Sequence, residues 1–147
     1  MAYIELQDLL DELGEDTLVQ LTDDAGTGEI GEARVAKAIE AATGTFDSYA
    51  RNRYSIPVPA TQMVKSKVLD LAIFHLYKSR TSIADGIYTV RKNAHDEAMK
   101  TLRDIRNGTA ALDIPSAEET AVLPATQDKI LTNASTSKFT DDALRGF

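Results

Sequence analysis

Between "SIPVPATQ" and "RTSIADG" lies a segment, about Gln62 to Ser79, that is apolar on most of its circumference. Met63, Val64, Val68, Leu69, Leu71, Ala72, Ile73, Phe74, Leu76 and Tyr77 leave no broad polar stripe for water. A helix of that kind has to be surrounded by other helices. Pro57 and Pro59 set its start, because proline lacks a backbone donor and disfavours helix in the residue before it. Its longest apolar run, Val68 to Leu76, is interrupted by Asp70 and His75 and falls well short of the ~20 residues that cross a bilayer. The segment reads as the centre of a small bundle, with no membrane partner.

The neighbours it requires are legible on both sides. From Ile4 to Leu13, apolar residues at 4, 6, 9, 10 and 13 form one stripe, ended by Gly14. A short turn is expected over Asp16 to Leu21. The next helix is expected from about Gly31 to Arg53, with Val35, Ile39, Ala42, Phe46, Tyr49 and Arg53 on one face. Gly44, in its middle, marks a bend or a close helix contact. The last helix is expected from Ile87 to Arg106, with Ile87, Val90, Ala94, Ala98, Leu102 and Ile105 inward and Lys92, Lys100 and Arg103 outward. Gly108 stands where a glycine stop belongs. The expectation is all-α: a bundle of about four helices over residues 1–107, a size compatible with one modest core.

After Gly108 the sustained period disappears. Residues 108–147 are rich in Ala, Thr and Ser, and forty such residues are too many for an ordinary loop. At ~3.3 Å per residue they span up to about 130 Å as an extended arm. Ile114, Val122, Leu123, Ile130, Leu131, Phe139, Leu144 and Phe147 recur along it, which a pure linker does not need. An arm that docks on a partner through Ile114, Leu123, Ile130, Phe139 and Phe147 is the reading.

Charge is divided along the chain. Residues 1–32 carry ten acids and no Lys or Arg, residues 33–107 have a net charge of +6, and residues 108–147 have −3. Separated acidic and basic edges suit contacts between copies of one chain. Asp11, Glu12, Asp23 and Asp24 are the acidic candidates for such an interface, and Lys92, Arg103 and Arg106 the basic ones.

Catalysis has no visible home. With no cysteine, disulfides, thiolate metal sites and a cysteine nucleophile are excluded. His75 and His95 lie on different helices without a ligand set, and no nucleophile elbow, zinc helix or phosphate loop occurs. The stretch "LTDDAGTGEIGEA" has the outline of a calcium loop. With Asp23 first, Gly28 and Ile30 fit the sixth and eighth positions. Ala25, Thr27 and Arg34 then stand at the third, fifth and twelfth, where oxygen ligands and a bidentate acid belong. The segment reads as a turn, with no metal and no cofactor. Basic residues between Lys65 and Arg106 make a small helical DNA-binding protein the alternative, but they are scattered and the chain is acidic overall.

Several motifs occur in an order that resembles the Mu-like phage and prophage neck-protein family. They are Met1, Tyr3 and Ile4; Leu21 to Ile30; Asp47, Tyr49, Arg53, Tyr54 and Pro57; and Asp70 to Leu76. The resemblance covers about residues 1–107. Ala25, Thr27 and Gly31 depart from the more aspartate-rich family loop, and nothing after Gly108 takes part. It implies a head–tail connector, also called an adaptor or head-completion protein: a ring of twelve copies beneath the portal, at the capsid–tail junction of a virion assembled in the host cytoplasm. Expected partners are other copies of the chain, the portal protein and tail-side neck or terminator proteins, with non-specific contact to channel DNA.

Overall fold

The computed structural model describes residues 2–80 and 84–114. Among them the chain forms five α-helices and no strand: α1 (Leu6–Leu13), α2 (Glu15–Thr22), α3 (Glu32–Ala50), α4 (Gln62–Lys78) and α5 (Asp85–Asn107). The all-α expectation holds, with one helix more than the sequence period indicates. The added helix is α2, where a turn was expected. Its eight residues bury Leu18, Leu21 and Thr22 against the bundle, so packing stabilises a helix too short to persist alone. Gly14 joins α1 to α2 at φ +78°, a left-handed backbone that favours glycine, and its N–H donates to the Leu10 carbonyl at 2.9 Å.

The apolar segment is the central element. α4 touches each of the other four helices and buries Val64, Val68, Leu71, Ala72, Ile73, Leu76 and Tyr77. Thr61 caps it, its hydroxyl accepting from the Val64 N–H. Across it, α3 buries Val35, Ala38, Ile39, Ala42, Phe46 and Ala50. The helix runs unbroken through Gly44, where an added Cβ would meet open space, so no close helix contact lies there. Each fully buried Leu, Ile or Phe in this core contributes roughly 1.5–3 kcal/mol.

α5 follows its expected stripe only in its second half. Ala98, Leu102 and Ile105 are buried, but Ile87 and Val90 are 51% and 64% exposed. The first half of α5 meets the bundle along a different edge, with Tyr88 and His95 against Phe74 and Arg91 against Glu12, and this turns Ile87 and Val90 outward. At the far end Gly108 adopts the left-handed conformation at φ +81°, and its N–H donates to the Ile105 carbonyl. The chain does not leave the bundle there. The Leu112 N–H donates to the Tyr54 hydroxyl at 2.9 Å, Leu112 is buried, and Ile114 packs on the core, so the helical unit extends to Ile114. Leu123, Ile130, Phe139 and Phe147 lie outside the described residues.

Candidate functional site

The loop from Leu21 to Ile30 is organised around one carboxylate. Asp23 Oδ1 accepts from the N–H groups of Ala25 and Thr27, each at 3.1 Å, and Oδ2 accepts from Gly28 at 2.7 Å. Gly26 and Gly28 supply positive φ angles, which let successive N–H groups turn inward. These bonds hold the Asp23 carboxyl below the usual range, the Gly28 bond most strongly. Both carboxylate oxygens of Asp23, the first position of the calcium-loop outline, accept from the loop's own donors.

Two arginines complete the arrangement. Arg80, just after α4, donates to the carbonyl of Leu21 at 3.1 Å and to that of Asp23 at 2.9 Å, and pairs with Asp24 at 3.1 Å. Arg34, on the first turn of α3, also pairs with Asp24. A fixed guanidinium therefore lies against the acidic loop and ties it to α4. The sequence marks Arg34 as the residue at odds with a metal ligand set. It does not mark Arg80 as the partner, since 57 residues separate Arg80 from Asp23.

The charged residues expected at an interface have several fates. Glu12 pairs with Arg91 at 3.3 Å and Lys92 with Asp96 at 2.8 Å, contacts inside one subunit. Asp23 and Asp24 are held as just described. Asp11 is exposed and accepts from Gln7, while Glu15 and Asp16 stand exposed at the start of α2. Arg103 and Arg106 are exposed on the last turns of α5. None of Asp11, Glu15, Asp16, Arg103 and Arg106 forms an ion pair among the described residues.

A groove of about 550 Å³ runs between the start of α3 and the end of α4. Ala33, Ala38 and Ala41 give it small apolar walls, and Arg34, Lys37, His75 and Ser79 stand around it. Burial, reinforced by the nearby charges of His95 and Lys78, pushes the His75 imidazole below its ordinary value, so it is neutral near pH 7. On the opposite flank of α4, Asp70 is half-buried, and burial raises its carboxyl. Among the described residues no group of three His, Cys, Asp or Glu is placed to share a metal ion.

Several residues that carry the family resemblance fasten distant segments of the chain together. The Tyr3 hydroxyl donates to Asp47 on α3 and accepts from the Val58 N–H at 3.3 Å. Burial and the Asp47 bond push its pKa up to about 12. Tyr54 receives Leu112, and the Arg53 guanidinium lies beneath Gly108. These are fastenings between segments distant in sequence, and their chemistry is structural.

The family model described as Bacteriophage Mu, Gp36 matches residues 3–130 of the chain. The match runs past residue 107, where the resemblance in the sequence was expected to end. No curated protein matches the chain.

Proposed function

We propose a head–tail connector role for this chain, which belongs to the Bacteriophage Mu, Gp36 family. It is a phage structural or morphogenesis protein, associated with the virion. Within that class the connector reading has it form a ring of copies beneath the portal, continue the DNA channel and receive tail-side proteins. Twelve is the copy number that the resemblance implies. Its work is assembly and not turnover.

The observation that carries this reading is the separation of unpaired charge on a well-packed bundle. Among the described residues Asp11, Glu15 and Asp16 stand without ion partners where α1 meets α2, and Lys37, Lys78, Arg103 and Arg106 do so on α3, α4 and α5. A closed ring requires each subunit to offer two different, complementary faces. The described helices bury a continuous hydrophobic core within one chain, which suits a subunit that folds first and is recruited afterwards.

Native mass spectrometry of the purified full chain, with and without portal, tests the reading. The expected outcome is a monomer alone and a ring once portal is added. Stable rings without portal would overturn templated assembly. A cryo-EM map of the capsid–tail junction in which this chain is absent would overturn the connector role itself.

A further inference from the structure

The ring reading leaves open which basic surface meets the acidic α1–α2 junction. We propose that the groove between α3 and α4 receives the acidic α1–α2 corner of a neighbouring copy, with Asp11, Glu15 and Asp16 facing Lys37 and Lys78 across it. The inference rests on the chain acting as a homo-oligomer.

Charge comes first. Asp24, the one acid lining the groove, is already met by Arg34 and Arg80, so Lys37 leaves the groove net positive, and Lys78 extends that field from the end of α4. Neither lysine forms an ion pair among the described residues. The corner is the reverse. Among the described residues Asp11, Glu15 and Asp16 have no ion partner, and they stand around the tight bend at Gly14. At its centre Leu13 is half-buried, an apolar contact of the kind that the alanine walls of the groove accept.

Position comes second. α1 lies along α4 at Lys65, Ser66 and Leu69, whereas the groove opens along His75, Leu76 and Ser79 on the α3 side. Donor and receiver are different faces of one subunit, so a copy can give its corner to one neighbour while receiving another's. Duplex DNA is a poorer occupant. The groove is small and alanine-walled, and a chain of net charge −7 lacks the broad positive field that phosphate tracking needs.

The sequence contains no cysteine, which gives a clean trap. Full-length Ala41→Cys and Thr17→Cys chains are mixed at high concentration under mild oxidation, where a transient encounter is enough to form the disulfide. A heterodimer well above that of an Ala41→Cys and Ser55→Cys control pair is expected. Lys37→Glu on the receiving chain should lower the yield roughly fivefold, and Asp16→Lys on the donating chain should restore it. Equal yields from the test and control pairs overturn the proposal. So does a loss of duplex-DNA binding in the Lys37→Glu chain with trapping unchanged, which would make the groove a nucleic-acid contact. Trapping in a chain that is absent from the virion junction would sustain this contact while the connector reading fell. No trapping in a chain found at the junction would do the opposite.

Discussion

The phenol of Tyr3 donates to the carboxylate of Asp47, 44 residues further along the chain, and the same oxygen accepts from the Val58 N–H. One side chain thus pins the N-terminal segment to α3 and to the link before α4. Tyr3→Phe removes the hydroxyl and leaves a buried N–H and a carboxylate oxygen without their partner. Urea unfolding should show a loss of about 1–3 kcal/mol with an unchanged slope. Because Tyr3 is pushed up to about 12, an absorbance titration of the folded protein should also lack one phenol from the main alkaline transition, and Tyr3→Phe should leave that transition unaltered. A full-sized main transition in the parent chain, reduced by the substitution, would contradict the buried hydrogen bond.

Asp23 and Arg80 predict the behaviour of the acidic loop. Asp23 has a folded pKa below its ordinary value, so its contribution is present above that value and is lost as pH falls through the lower folded one. Asp23→Asn should therefore flatten the acid limb of a stability–pH curve below about pH 4. Arg80→Ala removes two charge-assisted hydrogen bonds to backbone carbonyls and should cost about 1–2 kcal/mol. Calcium should leave the melting temperature of the parent chain unmoved. A calcium-dependent rise abolished by Asp23→Asn would show that a cation displaces the loop's own donors.

The sequence displays some of this architecture openly. Pro57, Pro59 and the apolar girth of Gln62–Ser79 announce the central helix, and Gly108 announces the end of the last one. α2 is hidden although α1, of equal length, is not: its apolar residues Leu18, Val19 and Leu21 fall within little more than one turn and make no repeating stripe, so the helix depends on Leu18 and Leu21 finding the core. Ile87 and Val90 mislead for another reason: a stripe records which residues share a face, not whether anything lies over that face. The partnership of Arg80 with the Asp23 loop is invisible in the sequence because it crosses 57 residues and uses backbone oxygens that every residue possesses. The groove at Lys37 and His75 exists only once α3 and α4 are laid side by side.

Asp70 offers a stabilising substitution. It stands half-buried on α4, and burial raises its carboxyl more than Lys67 lowers it. A raised folded pKa means that its favourable contribution is complete below the ordinary aspartate value and declines as pH rises through the folded value. At neutral pH the ionised group opposes folding. Asp70→Asn should raise the melting temperature at pH 7 and lose that advantage near pH 3, as paired thermal melts would show. A lower melting temperature at pH 7 would mean that Lys67 and Arg91 outweigh burial.

Val90 and Leu102 lie on the same helix and separate exposure from packing. Leu102 is fully buried, so Leu102→Ala leaves a cavity and should cost about 2–5 kcal/mol. Val90 is 64% exposed, and Val90→Thr keeps the branched shape while adding a hydroxyl that water can reach. Its effect on the isolated subunit should stay within about 0.5 kcal/mol, as for most surface substitutions. Chemical denaturation of the two variants beside the parent chain measures both. If Val90→Thr cost as much as a core substitution, the outward turn of the first half of α5 would be wrong, and with it the claim that α5 joins the bundle through Tyr88, Arg91 and His95 at that end.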